Sequence, residues 1–203
     1  MITHLLRPLF PAVWLFTEAI FRIISSEKTV CLTFDDGPDP ESTPELLDIL
    51  DTMNVKAIFF CSGTASEKYP ELVSEIKRRG HIVGNHGYNH LNGWRTSVKE
   101  YCENTESASK YTSDSIFRPP YGRIRINQYR RLKKSFRIVF WDIMSYDYDI
   151  RFGAKRSLGL LNKKLRSGSI IVLHDTPTST CKYFLKEFIE TTAGKGYQFC
   201  ISV

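Results

Sequence analysis

From Thr29 onward, short runs of β-branched and aromatic residues alternate with longer stretches whose apolar positions recur every three or four residues. The short runs predict strands at Val30 to Phe34, Ala57 to Cys61, Ile82 to Gly84, Ile116 to Arg118, Arg137 to Ile143, Ser169 to Leu173 and Tyr197 to Val203. Between them the spacing predicts helices. The first opens at Ser42-Thr43-Pro44-Glu45, a capping residue followed by a first-turn proline, with Leu46, Leu47, Ile49 and Leu50 on its buried face. Pro70 to Arg79 reads as the second and stops at Gly80, and Thr96 to Lys110, Ile126 to Lys134, Ala154 to Arg166 and Cys181 to Ala193 supply four more. About seven such alternations imply parallel strands joined by right-handed crossovers, in an open doubly wound sheet or a (β/α) barrel. Either architecture places its chemistry beyond the carboxyl ends of the strands.

Residues 1–27 stand apart from that alternation as an apolar arm. Arg7, Pro8, Pro11, Glu18 and Arg22 interrupt it, leaving no run of the ~20 apolar residues that a spanning helix needs. No short apolar core followed by a small-residue cleavage site is visible, so a cleavable signal is not evident and either a cytoplasmic or an envelope-associated location is open. Two readings of the arm stand, a segment packed on the domain or a membrane-surface anchor through Trp14, Phe16, Phe21 and Ile24. Residues 28–203 form the second unit. With 203 residues and 42% hydrophobic content the chain suits one globular core and is expected to be a monomer. Five cysteines without a C-x-x-C pair disfavour a disulfide framework or cysteine zinc site. The charge of +6 suits an anionic partner, but beyond Arg123 to Lys134, which reads as easily as a solvated helix face, no basic run interleaved with aromatics supports nucleic acid.

The predicted strand ends carry an unusual density of reactive side chains. Val30 to Phe34 runs into Asp35-Asp36-Gly37-Pro38, and adjacent carboxylates repel unless each is hydrated, paired or metal-bound. A metal site uses both: one carboxylate ligates while its neighbour serves as a general base. His86 and His90, four apart after the third strand, suit one side of a helical turn and one metal ion. Asp36 would complete a mixed oxygen and nitrogen set. The fourth strand ends in Arg118-Pro119-Pro120-Tyr121-Gly122, a stiff loop; the fifth continues to Asp147 and Tyr148; the sixth ends on His174.

Together these segments resemble the NodB-like polysaccharide deacetylases, carbohydrate esterase family 4, over nearly the whole chain from Thr29. Thr33-Phe34-Asp35-Asp36-Gly37-Pro38 is the most specific of five motifs; His86 to His90, Arg118 to Tyr121, Trp141 to Tyr148 and Val172 to His174 follow in the family's order. The resemblance implies a distorted (β/α) barrel of about seven parallel strands. It implies a divalent metal, usually zinc, on Asp36, His86 and His90, with Asp35 as general base and Arg118 as its orienting partner. His174 is implied as general acid, tuned by Asp147, and the backbone N–H of Tyr121 as oxyanion donor. Tyr121, Tyr148 and Val172 are implied to line the substrate cleft, Val172 where an acetyl methyl would sit. The activity implied is hydrolysis of N-acetyl groups on N-acetylhexosamine units of an acetylated glycan, peptidoglycan or chitin-like, releasing acetate. An O-acetyl esterase of the xylan type and a catalytically silent glycan-binding barrel are the alternatives. This chain departs from the family at Gly87, where Ser or Thr is usual, at Tyr148, where Trp is usual, and at Met144, where Asp is common.

Overall fold

A computed structural model describes residues 15–25, 27–113 and 115–203. Its central strand, β1 (Thr29–Asp36), shows the period of two that a strand buried on both faces must satisfy. Val30, Leu32 and Phe34 pack outward against Leu46, Leu47 and Leu50 of α1 (Ser42–Thr52). Cys31 packs on the other face with Ile58, Phe60, Ile116, Val139 and Ile170. In register with β7 (Ser169–His174), the inner face of β1 forms layers: Cys31 beside Ile170, Thr33 beside Val172, and Asp35 beside His174 at the top. The interior is therefore apolar at its base and ionic at its mouth.

The remaining strands are β2 (Ile58–Cys61), β3 (Ile82–Asn85), β4 (Ile116–Phe117), β5 (Arg137–Ile138), β6 (Ile143–Met144) and β8 (Gln198–Phe199). Seven lie along one path, β5-β4-β3-β2-β1-β7-β6, all in parallel pairs, with β8 beside the start of β1. The expected parallel barrel strands are present. One correction concerns the run Arg137 to Ile143, which is not one strand but β5 and β6, at opposite ends of the path. Residues 139–142 thus join the two edges of the sheet, curling it on itself. Val139 N–H still bonds Phe117 O (2.9 Å), whereas Asp142 N–H already bonds Ile170 O (2.9 Å). Across this seam lies the described part of the arm: Ile20 N–H bonds Ile138 O and Phe140 N–H bonds Ile20 O, both at 2.8 Å, and Phe21 stacks on Phe140. The arm's residues 1–14, Trp14 among them, lie outside the described residues.

The other helices are α2 (Gly63–Lys68), α3 (Pro70–Arg78), α4 (Val98–Ala108), α5 (Ile126–Leu132), α6 (Ala154–Lys164) and α7 (Leu185–Gly194). Two expectations change here. Ser42 and Thr43 do not cap α1; their hydroxyls bond a buried carboxylate, Asp175, while Asp39 Oδ1 accepts from the N–H groups of Glu41 and Ser42. The stretch Cys181 to Ala193 is interrupted at Phe184, with a 3-10 turn (Cys181–Tyr183) before α7. No described helix is long and apolar enough to cross a membrane, and all five cysteines are free thiols.

Candidate active site

Asp35 and Asp36 are neighbours with different fates. Asp35 follows the strand and points into the barrel mouth, where Arg118 Nη1 donates to its Oδ1 at 2.7 Å. Arg118 has no solvent exposure and uses its whole fork: Nη1 also meets Thr33 Oγ1 (2.6 Å), Nη2 donates to Phe140 O (2.9 Å) and Nε to Val139 O (3.3 Å). Those carbonyls belong to the seam between β5 and β6, so one guanidinium both fixes Asp35 and satisfies backbone that no strand pairs. Phe60 lies under its face at 4.1 Å. The second Asp35 oxygen, Oδ2, faces His86 Nε2 at 3.8 Å.

Asp36 turns away through a left-handed backbone (φ 80°) to meet the histidines. His90 Nε2 lies 3.2 Å and His86 Nε2 3.7 Å from its Oδ1. The two histidines do not share a helical turn, as their spacing had suggested; they sit on a loop after β3, bent by left-handed conformations at Gly87 and His90. Asn85, fully buried, shapes this loop by accepting from Gly87 N–H (2.7 Å) and donating to Thr105 O (2.9 Å). Glycine at 87 therefore suits the required φ of 76°. His86 Nδ1 lies 2.8 Å from Arg118 O, a carbonyl that only accepts, so Nδ1 carries the proton and Nε2 presents its lone pair. Burial pulls the His86 pKa down to about 4, keeping the ring neutral. Burial alone would raise the Asp36 carboxyl, but the His90 hydrogen bond and the charges of His174 and His86 hold it well below the usual range. A lone pair and a carboxylate aimed at one point, with all three ligating atoms within 4.8 Å of one another, fit a divalent cation.

Across the mouth stands a second ion pair. His174 Nδ1 meets Asp147 Oδ1 at 2.8 Å, and the His174 backbone N–H bonds Oδ2 at 2.8 Å. Ser145 and Ser179 each donate a hydroxyl to the same carboxylate at 2.5 Å. Burial works against charge on His174, but the Asp147 charge and hydrogen bond, then Asp36 and Asp35, raise its pKa to about 9. Asp147 is fully buried, which would raise its own pKa; the charge of His174 and three side-chain hydrogen bonds outweigh that and lower it. Tyr148 stands edge-on to His174, ring centroids 4.9 Å apart, and is 45% exposed, so it forms part of the cleft wall.

Tyr121 caps the other side, its ring edge-on to His90 at 4.5 Å. It has a left-handed φ of 59° in a 3-10 turn whose bonds run from Gly122 N–H to Pro119 O and from Arg123 N–H to Pro120 O, so the turn does not use the Tyr121 N–H. Trp141 packs beneath this loop so closely that a Cβ on Gly122 would lie 2.3 Å from its ring. Val172 requires a correction. It is fully buried in the layer below Asp35 and His174, packed with Trp141, and presents no surface to the cleft. The structure thus brings Asp35, Asp36, His86, His90, Arg118, Tyr121, Asp147, Tyr148 and His174 to one rim.

Sequence reasoning missed Asn85, Thr33, Ser145, Ser179 and Asp175. Asp175 is 1% exposed, accepts from Ser42 and Thr43 hydroxyls at 2.6 Å, and donates its N–H to Asp35 O at 2.8 Å. Burial, only partly offset by those hydroxyls, pushes its carboxyl up to about 7. Only Ser145, two residues before Asp147, carried a local signal.

Residues 23–136 match the family model described as polysaccharide deacetylase. Two Bacillus cereus proteins named peptidoglycan-N-acetylglucosamine deacetylase are similar: one is 37% identical over 73% of this chain and 56% of its own length, the other 30% identical over 88% of each. This chain therefore spans about half the length of the first. A crystal structure of a peptidoglycan N-acetylglucosamine deacetylase, bound to a naphthalenyl N-oxidanyl-benzamide, superposes with a TM-score of 0.85 at 31% identity, over 95% of this chain and 94% of that one. With the fold, the motif residues on one rim and these matches in agreement, the chain belongs to the polysaccharide deacetylase family.

Proposed function

We infer that the chain is a metal-dependent hydrolase that removes N-acetyl groups from N-acetylhexosamine units of a polysaccharide, with peptidoglycan the leading substrate and chitin-like polymers the second. The observation that carries this reading is the pair of fixed ion pairs, Asp35–Arg118 and His174–Asp147, facing each other across the Asp36–His86–His90 cluster. Zinc is the cation that a donor set of two imidazoles and one carboxylate favours. When bound, it supplies Lewis acidity, favouring negative charge on the acetamide oxygen and deprotonation of water.

The protein's own groups supply the rest. Arg118 occupies Asp35 Oδ1, so Oδ2 is the oxygen left to take a proton from the attacking water. As the tetrahedral carbon forms, the Tyr121 N–H donates to the developing oxyanion. Collapse requires a proton on the departing nitrogen, and His174 is charged at neutral pH and positioned by two bonds to Asp147 to give it. Acetate leaves and a free amine stays on the sugar. The relatives named above carry peptidoglycan in their names, which supports a wall polymer as substrate and the cell envelope as the place of action.

Acetate release from a panel of peptidoglycan, chitin oligomers and acetylated xylan tests the reading. The expected result is release from one of the N-acetylated glycans, abolished by a chelator and restored by added zinc. Release from xylan alone would replace the reading with an O-acetyl esterase; binding without release would make the barrel silent.

A further inference from the structure

On the His90 side of the mouth, three side chains that the chemistry above leaves unused form a ladder. Arg123 Cζ lies 5.0 Å from the centroid of the Trp94 ring and 5.9 Å from that of Tyr121, and the Tyr121 ring touches His90. Trp94 and Tyr121 are 58% and 59% exposed, so each offers an open face or edge, Tyr121 beside the metal cluster and Trp94 beyond Arg123. Arg78, Arg79, Arg118, Arg131 and Arg166 all meet carboxylates. Arg123 has no acidic partner among the described residues and is flanked by rings instead.

The ladder is held in place from beneath. The carbonyl of Arg123 packs so tightly on Gly93 that a Cβ there would approach it to 2.3 Å. Fully buried Gln128 donates to Gly93 O (2.9 Å) and Thr96 O (3.2 Å) and accepts from Arg125 N–H (2.7 Å), tying the loop of Trp94 to the loop of Arg123. Arg125 Nη2 donates to Trp94 O, fixing the indole's backbone from the other side. A pre-set guanidinium with its charge uncommitted is built for a planar oxyanion, and exposed rings beside it suit the apolar face of a pyranose.

We propose that Trp94, Arg123 and Tyr121 form a specificity subsite for a carboxylate-bearing sugar adjoining the N-acetylhexosamine that is deacetylated, so that the preferred substrate is an acidic glycan. This rests on the deacetylase reading and adds a charge requirement to it. Arg123 receives the carboxylate in a two-pronged hydrogen bond, while Trp94 and Tyr121 stack against the ring that carries it.

The test compares an N-acetylhexosamine oligomer bearing carboxylates on alternate sugars with its methyl ester, identical except for charge. KM for acetate release is measured for both with the zinc-loaded protein, and binding of both is titrated calorimetrically with the same protein. The free acid is expected to show a KM and a dissociation constant about tenfold lower than the ester, the scale of one charge-assisted bond, with the ratio shrinking as salt is added. In Arg123→Gln the acid-to-ester ratio should collapse toward one, and Arg123→Lys should recover part of it. Because the readout is a ratio within each variant, a partly folded sample does not mimic the effect. Equal KM and equal binding of acid and ester by the unaltered protein would overturn the subsite, as would an undiminished ratio in Arg123→Gln. If no acetate is released from either oligomer, the deacetylase reading fails, while binding still decides the subsite.

Discussion

Two ion pairs face each other across the mouth of this barrel, built from the same chemistry with the roles exchanged. On one side Arg118 is sealed from solvent and its partner Asp35 reaches the cleft; on the other Asp147 is sealed and its partner His174 reaches the cleft. In each pair the buried member collects the hydrogen bonds, four from Arg118 and four to Asp147. The accessible member keeps one side free. The lesson is that burial, more than residue type, decides which half of an ion pair positions and which reacts. The pairs also differ in what else they hold: Asp147 gathers side chains and a backbone N–H around one imidazole, whereas Arg118 also reaches the sheet seam.

That difference predicts an order of effects. Arg118→Met should be the most damaging change, since it strands a buried carboxylate and removes the donors of two seam carbonyls. A loss of about 3–5 kcal/mol in urea unfolding is expected, with activity gone; near-normal stability would mean that the seam is held without it. Asp35→Asn should separate chemistry from fold, with acetate release falling by about 10³-fold while the unfolding midpoint stays close to that of the unaltered protein.

Asp147→Asn probes the opposite pair and should cut release by about 10²-fold with a distinct pH signature. A general acid must be protonated, so activity of the unaltered protein should decline as pH rises through about 9. Without the Asp147 charge that decline should begin nearer 6.5, the ordinary histidine value. Stability follows the same sign. The folded pKa of His174 is raised, so its share of stability is complete below about 6.5 and is lost as pH climbs through about 9. Thr33→Val is the mildest change: it removes one hydroxyl from beneath Arg118 and one bond to Ile171 O, for about 1 kcal/mol and a small loss in rate. If it matched Arg118→Met in severity, the fork would depend on its weakest support.

Much of this could be read before any coordinates. Short runs of β-branched and aromatic residues located β1, β2, β3 and β7 because those strands are buried on both faces and carry mostly apolar residues. Motif spacing located Asp35, Asp36, His86, His90, Arg118 and His174 because their chemistry tolerates few alternatives. What was illegible has physical reasons. The run Arg137 to Ile143 is apolar without a break from Ile138 to Trp141, and nothing local says that its carbonyls at Val139 and Phe140 bond an arginine rather than a strand. The short helix α2 contains a glycine and two hydroxyl residues, poor helix formers that tertiary packing overrides. Ser179 reaches Asp147 from 32 positions away, and Ser42 and Thr43 reach Asp175 from more than 130, distances at which one sequence carries no signal. Val172 was assigned to the cleft from resemblance, and its layer in the barrel places it beneath.

The shared duty of Arg118 also bears on how such a protein changes over generations. Asp35 can pass to the isosteric Asn, which still accepts from Arg118, and His90 stands partly exposed at the rim, so a lineage that abandons the chemistry can do so by a single substitution at either. Arg118 has no such freedom, because any heir that discards it must refill its space and find new donors for Val139 and Phe140. Descendants of this barrel that no longer turn over substrate are therefore expected to keep the guanidinium as a relic long after the carboxylate it once served has drifted away.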